Sequence, residues 1–467
     1  MDRPTTLGAL RDSGWKSRSV KDEIRENAIA KIRSGEGMFP GIVGYENTVL
    51  PQLEHAVLAG HDVIFLGERG QAKTRMIRGL TNLLDEWMPV VAGSEINDDP
   101  YAPVSAHARQ LVDAEGDNTP IEWVHRDDRF GEKLATPDTS IADLIGEVDP
   151  IKVAEGRYLS DELTLHYGLV PRTNRGVFAI NELPDLAERI QVGLLNVLEE
   201  RDVQIRGYKI RLPLDVLLVA SANPEDYTNR GRMITPLKDR FGAQIRTHYP
   251  LEVETEIEIA RQESRLLDVS PDLQVSVPRF MEEVVATFTH LARSSPQINQ
   301  RSGVSVRLTV ANLETLVAAA TRRALRLGET EIVPRVSDLD GLIASTAGKV
   351  EVEALEEGRD AEVVDHLLRG AVLAVFKDNV SPELVRQVVD SFDGDVTFSA
   401  GDDLPASAYG DALANNPALA ATVAGLVGDT DTLASRASAI ELILEGLHLS
   451  KRLNKDAVGG RSNYRGR

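Results

Sequence analysis

The chain has 467 residues, which at roughly 150 residues per domain predicts about three domains and excludes a mini-domain or a peptide hormone. Its 52 basic and 73 acidic residues give a formal charge of −21. This acidic excess argues against a nucleic-acid partner, because phosphate binding relies on clustered Lys and Arg. The sequence contains no cysteine, which excludes disulfides, thiolate nucleophiles and cysteine-bound metals.

Residues 1–36 are expected to form an N-terminal helical extension. Its helix is predicted from Val20 to Ile32, where Ile24, Ala28 and Ile32 recur every four residues. The first residues lack the apolar run of a signal peptide, and nowhere do about 18 apolar residues follow one another. The sequence therefore predicts a cytoplasmic protein without membrane insertion.

Residues 37–250 carry the pattern of an α/β domain with a mainly parallel sheet. A helix-like stretch at 49–59 leads into the apolar run Val63–Leu66, and two more short runs follow at Gly176–Ile180 and Val216–Ala220. Such runs, bounded by polar loops, are typical of buried parallel strands, although periodicity alone leaves short core helices as an alternative. The carboxyl ends of the strands are where an open α/β sheet holds its ligand.

Helical periodicity dominates after residue 250. Helices are expected near 252–266, 277–293, 309–327 and 351–377, and a last helix carries apolar residues at 4-3-4-3 spacing from Leu433 to Leu447. We expect a helical lid at 251–346. A helical C-terminal segment at 347–467 is expected to end in a flexible tail from Gly459 onward.

The loop after the first apolar run reads Gly67-Glu68-Arg69-Gly70-Gln71-Ala72-Lys73-Thr74. It matches the phosphate-binding pattern G-x-x-x-x-G-K-[ST], except that Ala72 replaces the second glycine. In that pattern backbone N–H groups hold the phosphates, the lysine neutralises the β- and γ-phosphates, and the hydroxyl reaches Mg²⁺. A positive φ at Ala72 would cost roughly 1 kcal/mol or more. The alternative is an ordinary strand-to-helix turn with an exposed lysine.

Polar residues that could take part in binding or catalysis follow the other two apolar runs. The second run ends with Asn181 and Glu182, where P-loop NTPases place an acidic residue that holds Mg²⁺ and a glutamate that activates water. Asn181 stands where the aspartate is usual, so it contributes no negative charge. The third run leads to Asn223, a candidate sensor of the γ-phosphate, and Arg240 lies further along the chain. The alternative for each is a solvated surface position.

Taken in order, these residues resemble a known family, the AAA+ ATPases of the helix-2-insert clade, which contains MoxR proteins and the ATPase (I) subunit of magnesium chelatase. The resemblance extends from about Phe39 to Gly328. The segments that carry it are Gly67 to Thr74, Asn181-Glu182, Asn223, Asp239-Arg240-Phe241 and Ser305-Val306-Arg307.

Three further segments support the resemblance. Residues 41–44, Gly-Ile-Val-Gly, resemble the clade's adenine-side segment. Residues 133–160 resemble the clade's insert, and the alternation at 203–212 resembles the β-hairpin that precedes its first sensor.

The resemblance implies an ATP hydrolase with ATP and Mg²⁺ as cofactors, in which Thr74 contacts the metal. It implies that Glu182 is the catalytic base and Asn223 the first sensor. Arg240 would be the arginine finger that reaches a neighbouring subunit's ATP, and Arg307 the second sensor, carried by the lid. The implied nucleotide-binding residues are Ile42, Val43, Gly67, Glu68, Arg69, Gly70, Gln71, Ala72, Lys73, Thr74 and Asn181.

A finger delivered from a neighbour implies a homo-oligomeric ring, expected to be a hexamer, and the resemblance implies a partner with a von Willebrand factor A domain. The leading hypothesis is an ATPase that remodels or helps to mature a partner protein, as MoxR-type proteins do. One alternative is the magnesium chelatase ATPase subunit, which drives Mg insertion into protoporphyrin. Another, motivated by Ala72 and Asn181, is a weakly hydrolysing scaffold. A further alternative is an enhancer-binding transcription activator. The sequence argues against it, because it contains neither the Gly-Ala-Phe-Thr-Gly-Ala loop nor a convincing helix-turn-helix.

Overall fold

The chain folds into two units, Met1–His248 and Tyr249–Arg467. The first unit contains the predicted α/β core together with the N-terminal extension, and the second contains both segments predicted after residue 250. The computed structural model describes residues 3–148, 164–200, 202–204, 211–223, 233–265, 272–353, 359–392, 397–458 and 461–466.

The first unit alternates helices and short strands. Its helices are α1 (Leu7–Asp12), α2 (Val20–Ser34), α3 (Val49–Ala59), α4 (Lys73–Gly79), α5 (Ala106–Glu115), α6 (Ile141–Leu144), α7 (Leu169–Arg172), α8 (Glu188–Glu200) and α9 (Thr235–Arg240). Its strands are β1 (Val63–Leu66), β2 (Trp87–Val91), β3 (Ile121–His125), β4 (Phe130–Leu134), β5 (Gly146–Val148), β6 (Leu165–Tyr167), β7 (Gly176–Asn181), β8 (Asp202–Gln204), β9 (Arg211–Pro213), β10 (Val216–Ala222) and β11 (Ala243–Arg246).

A parallel sheet with the strand order β11-β1-β10-β7-β4 forms the centre of the first unit. The three predicted apolar runs are its middle strands, so the expected parallel α/β core is confirmed. Successive side chains of a strand point to opposite faces: Phe65 joins an apolar cluster with α2, α3 and α4, whereas Ile64 joins one with α8 and α9. With both faces covered, the polar residues that follow the strands collect at the carboxyl edge of the sheet.

The N-terminal helix α2 is part of this core. Its residues Ile24 and Ala28 are buried, as the four-residue repeat predicted, whereas Ile32 is exposed. Glu23, on the same helix, accepts hydrogen bonds from both terminal nitrogens of Arg129 at 2.7 and 2.6 Å, and Arg129 has no exposed surface. Removing one partner of such a buried pair costs about 3–5 kcal/mol, so α2 stabilises the unit.

The predicted hairpin and insert are described in part. β8 and β9 pair antiparallel, with Val203 opposite Leu212, while residues 205–210 lie outside the described residues. In the insert, α6 is followed by β5, which pairs antiparallel with β6. Residues 149–160 of the predicted insert also lie outside the described residues.

The second unit is mainly helical. Its helices are α10 (Val253–Glu263), α11 (Arg279–Ser294), α12 (Arg307–Leu327), α13 (Leu342–Ala347), α14 (Asp360–Asn379), α15 (Pro382–Asp390), α16 (Gly410–Ala414), α17 (Pro417–Val427) and α18 (Leu433–Leu449). Its strands are β12 (Gln274–Val275), β13 (Glu331–Ile332), β14 (Thr397–Gly401), β15 (Leu453–Val458) and β16 (Arg461–Gly466). Where a helix was expected at 351–377, α14 begins at Asp360, and Val352 instead bridges Ile298.

The C-terminal segment differs from the expectation. Strands β14, β16 and β15 form an antiparallel sheet in that order, so residues 461–466 are the central strand of a sheet and not a flexible tail. Tyr464 on β16 is 3% exposed, and its hydroxyl donates to Glu445 on α18. This buried tyrosine attaches the last strand to the helical core.

The helices α14 and α18 approach each other closely in the second unit. A Cβ at Gly446 would lie 2.1 Å from the ring of Phe376, so glycine is required at this helix crossing. In the described part of the chain, no helix is both long and apolar enough to cross a bilayer.

Candidate functional site

The predicted phosphate loop lies between β1 and α4, at the carboxyl edge of the sheet. A Cβ at Gly67 would lie 1.9 Å from Thr247 Oγ1 and 2.2 Å from Gln71 Oε1. The hydroxyl of Thr247 donates to Gln71 Oε1 at 2.6 Å, and this bond crosses the space in front of Gly67. Glycine is therefore the residue that fits at the start of the loop.

Ala72, the departure from the loop pattern, has φ of 55° and ψ of 13°. This is the left-handed region, where an L-residue costs about 1–2 kcal/mol relative to the right-handed region. Gly70, two residues earlier, also has a positive φ of 74°. The loop thus has a backbone shape that favours glycine at position 72, and the alanine is strained.

Lys73 is the first residue of α4 and is 7% exposed. Its ammonium group donates to the carbonyl oxygens of Gly67 and Glu68, the latter at 2.8 Å, and to Asn223 Oδ1 at 2.9 Å. The lysine side chain therefore folds back over the loop. Its charge lies at the carboxyl ends of β1 and β10, where the sequence predicted a phosphate site.

Asn223 connects the lysine to Glu182. Its amide nitrogen donates to Glu182 Oε2 at 2.8 Å, while its amide oxygen accepts from Lys73. Glu182 has φ of 56° and ψ of 46°, a strained conformation for a non-glycine residue that is often found at functional sites. The structure thus brings together Lys73, Asn223 and Glu182, which are far apart in the sequence.

Asn181, at the end of β7, is held from both sides. Its amide nitrogen donates to Glu132 Oε1 at 2.5 Å, and its amide oxygen accepts from Ser221 Oγ at 3.1 Å. Glu132 could not be predicted, because β4 reads Phe-Gly-Glu-Lys-Leu and lacks the apolar run that identified β1, β7 and β10.

The segment that contains Ile42 and Val43 precedes Tyr45, whose hydroxyl lies 3.1 Å from the carbonyl oxygen of Gln71 and 2.6 Å from that of His248. Burial raises the pKa of Tyr45 to about 12, so the hydroxyl remains a donor at neutral pH. It links the predicted adenine-side segment to the phosphate loop. Tyr45 was missed because a lone buried tyrosine has no sequence signature.

The remaining predicted residues have simpler surroundings. Thr74 is exposed in the first turn of α4, and Arg69 is exposed in the loop before that helix. Arg240 is exposed at the last position of α9, and Arg307 is exposed at the first position of α12 in the second unit. Their roles stay predictions.

Sequence comparisons show which known proteins the chain is similar to. Residues 155–241 match the model of the Sigma-54 interaction domain. The chain is 30% identical over 254 residues to magnesium-chelatase subunit ChlI of Nostoc sp. (strain PCC 7120), covering 52% of this chain and 61% of that protein. It is also 30% identical over 237 residues to the magnesium-chelatase 38 kDa subunit of Rhodobacter capsulatus, covering 48% and 59% of the two chains. The chain thus spans about three fifths of the length of these relatives.

Solved structures give weaker matches. A model of the complex between subunits BchI and BchD of magnesium chelatase is 24% identical, with 70% of this chain and 98% of that chain covered and a TM-score of 0.36. NtrX from Brucella abortus is 16% identical, with 76% and 68% covered and a TM-score of 0.40. Overlaps this low support no conclusion about function.

The parallel sheet, the predicted phosphate loop and the sequence matches make the chain similar to AAA+ ATPases. In particular, it is similar to subunits of magnesium chelatase.

Proposed function

We propose that the chain binds ATP with Mg²⁺ at residues 67–74 and hydrolyses the nucleotide. The observation that carries this proposal is the chain of hydrogen bonds from Lys73 through Asn223 to Glu182. It joins a phosphate-binding cation, a sensor amide and a carboxylate base at one edge of the sheet. Phosphoryl transfer depends on such positioning and on electrostatic stabilisation more than on covalent chemistry.

Each residue has a definite task in this proposal. Lys73 exchanges its bonds to the loop carbonyls for bonds to phosphate oxygens, and Thr74 offers its hydroxyl to the metal. Glu182 orients and deprotonates the attacking water. Asn223 contacts both Lys73 and Glu182, so it would connect the state of the phosphate to the position of the base. The bound Mg²⁺ would neutralise charge on the phosphates.

The ATPase proposal is tested with Lys73→Ala and Glu182→Gln. We expect Lys73→Ala to weaken binding of a fluorescent ATP analogue by about tenfold or more, because one charged hydrogen bond contributes about 1.5–3 kcal/mol. Glu182→Gln should bind the analogue normally but release phosphate about 100-fold more slowly or worse.

The matched control is Glu188→Gln, which changes an exposed glutamate at the start of α8. It should bind and hydrolyse ATP like the wild type. Equal phosphate release by the wild type, Lys73→Ala and Glu182→Gln would contradict the ATPase proposal. Tight binding without turnover, even with a partner present, would instead support the nucleotide-binding scaffold.

We further propose that hydrolysis drives work on a partner protein, in a homo-oligomeric ring. The two relatives described above are magnesium chelatase subunits, and this similarity favours a chelatase-type ATPase that drives Mg insertion into protoporphyrin. The MoxR-like role, remodelling a partner with a von Willebrand factor A domain, is the second candidate. The Sigma-54 match covers residues 155–241, but the chain lacks the Gly-Ala-Phe-Thr-Gly-Ala loop, so we do not propose transcription activation.

A replacement assay separates these two roles. The Rhodobacter capsulatus chelatase is reconstituted with this chain in place of its 38 kDa subunit, and metal insertion is followed by the absorbance of the porphyrin. Insertion that Lys73→Ala abolishes supports the chelatase role. ATP hydrolysis without insertion, together with ATP-dependent co-purification of a von Willebrand factor A protein from native cells, supports the remodelling role.

A further inference from the structure

Asn181 has the position at which the AAA+ resemblance expects a carboxylate, and the structure shows a carboxylate beside it. Glu132 lies on the neighbouring strand β4, where residue 134 is opposite Asn181 in the parallel register. The Asn181 amide nitrogen and Glu132 Oε1 are 2.5 Å apart. The negative charge missing from residue 181 is therefore present one strand further from the phosphate loop.

This contact fixes which way the amide points. An ionised carboxylate only accepts hydrogen bonds, so the NH₂ group of Asn181 must face Glu132. The carbonyl oxygen then faces Ser221 on β10, the strand between β7 and β1. Ser221 Oγ accepts from the Glu182 N–H at 3.3 Å and uses its own proton for Asn181. The Asn181 oxygen is thereby held on the side of the phosphate loop.

The same contact affects the amide electronically. A donor that is hydrogen-bonded to a carboxylate is polarised, and its carbonyl becomes a better acceptor because neighbouring hydrogen bonds strengthen one another. Glu132 Oε2 also accepts from Arg78 Nε of α4 at 2.8 Å, but the Arg78 side chain is 63% exposed, so this ion pair contributes little to the position of Glu132. The Glu132 side chain is 22% exposed, so its charge is only partly screened.

We propose that Glu132 is a positioning residue for the magnesium–nucleotide site. It holds the Asn181 carbonyl toward the phosphate loop and supplies, through that amide, the negative charge that residue 181 lacks. When Mg²⁺ and nucleotide are bound, the Asn181 oxygen would accept a hydrogen bond from the hydration shell of the ion. The inference rests on the proposed ATPase function.

Glu132 and Asn181 should depend on each other, because the site needs one carboxylate and one neutral amide at these two positions. An aspartate at 181 would put two carboxylates in contact, and like charges at that distance disfavour the doubly ionised state. Aspartate should therefore function at 181 only if residue 132 is neutral. Exchanging the two charges with Glu132→Gln and Asn181→Asp together should restore the site.

The test measures the Mg²⁺ concentration for half-maximal binding of a fluorescent ATP analogue and for half-maximal hydrolysis. Glu132→Ala should raise both about tenfold or more, as losses around a metal site commonly do. Asn181→Asp alone should raise them similarly. The double variant Glu132→Gln/Asn181→Asp should return to within about threefold of the wild type, since a carboxylate beside a neutral donor is restored.

Two controls separate positioning from a structural effect. Arg78→Ala removes the tie between α4 and Glu132 but leaves the Asn181 contact, so it should leave the Mg²⁺ requirement within about twofold of the wild type. Binding of the analogue without Mg²⁺ should be unchanged in all variants, because Glu132 does not act on the phosphates directly.

Several results would overturn the inference. They are an unchanged Mg²⁺ requirement in Glu132→Ala, an equally large rise in Arg78→Ala, or a double variant no better than Asn181→Asp. If the wild type binds and hydrolyses ATP but any of these results is found, the proposed role of Glu132 fails and the ATPase function stands. If the wild type neither binds nor hydrolyses ATP, the proposed function fails and the inference fails with it.

Discussion

Two residues of the candidate site, Ala72 and Glu182, have left-handed backbone conformations without being glycine. Each costs of order 1–3 kcal/mol, which the surrounding structure must supply. Glu182, in this conformation, accepts a hydrogen bond from the Asn223 amide at 2.8 Å. At Ala72 the methyl group makes no corresponding polar contact, so the strain there should be removable without loss of binding.

The first prediction follows from Ala72. Ala72→Gly should stabilise the first unit by roughly 0.5–1 kcal/mol, because relief of the positive φ outweighs the added freedom of glycine in the unfolded chain. In a unit of this size the melting temperature should rise by about 2 °C. Thermal unfolding followed by circular dichroism measures it.

The control for Ala72→Gly is the same substitution at Ala30, an exposed residue inside α2. At that position glycine should lower the free energy of unfolding by about 1 kcal/mol, because alanine is favoured over glycine inside a helix. Destabilisation at both positions would show that Ala72 is not strained.

At the scale of elements, the sequence predicted those features that depend on short-range pattern. Three apolar runs predicted β1, β7 and β10, and the loop motif predicted the position of Lys73. Strands β4 and β16 were not predicted because they lack an apolar pattern. They are strands because they pair with neighbouring strands, and such pairing leaves no signal in the local sequence. For that reason Glu132 became visible only in the folded structure. Ser221, Thr247 and Tyr45 were missed for another reason, since a single polar residue beside a strand has no sequence signature.

A second element-scale feature joins three helices of the second unit. Glu256 of α10 is fully buried and accepts from Arg293 of α11 at 2.7 and 3.1 Å and from Thr309 of α12 at 2.6 Å. Burial by itself raises the pKa of Glu256, but the nearby His290 ring and the donors Arg293 and Thr309 outweigh it and lower the pKa. The ionised carboxylate is therefore part of the folded state.

Glu256→Gln should destabilise the second unit by about 3 kcal/mol at about pH 7, because Arg293 loses its charged partner in a buried site. Since the folded pKa is below the unfolded value of about 4.3, the contribution is fully present above that value and declines as the pH falls through the folded pKa. The stability difference between wild type and variant should therefore shrink in acid.

Urea unfolding of both proteins at about pH 7 and about pH 3.5 measures this difference. Glu258→Gln, on the exposed side of the same helix, should change stability by less than about 0.5 kcal/mol at either pH. A difference that stays constant with pH would exclude an ionised Glu256 in the folded state.

At the scale of the whole molecule, the net charge of −21 gives little information about the site. The proposed site would depend on a few local cations, above all Lys73, which is held by neutral carbonyl and amide oxygens. Arg240 is the cation proposed to act between subunits. Its exposed position at the end of α9 is compatible with contact to a neighbour in a ring.

A mixing experiment tests this assignment. Arg240→Ala and Lys73→Ala should each lose ATP hydrolysis, since an arginine finger contributes about 10³–10⁵ in kcat. Mixed in equal amounts, the two variants should regain activity. In about one interface in four of a randomly mixed ring, an intact loop faces an intact finger.

Lys238→Ala, which removes another exposed cation of α9, should keep wild-type activity alone. If the mixture stays as inactive as its components, Arg240 does not act across subunits. If Arg240→Ala alone hydrolyses ATP at the wild-type rate, Arg240 is not an arginine finger.

The hydroxyl of Tyr45 sets limits on how the first unit can be shortened. It contacts the carbonyl oxygens of Gln71 and of His248, the last residue of that unit. A fragment that begins after Tyr45 or stops before His248 loses a buried tie between its two ends and the phosphate loop. A fragment that keeps the proposed nucleotide site intact should therefore begin at or before Tyr45 and extend at least to His248, although the predicted phosphate loop spans only residues 67–74.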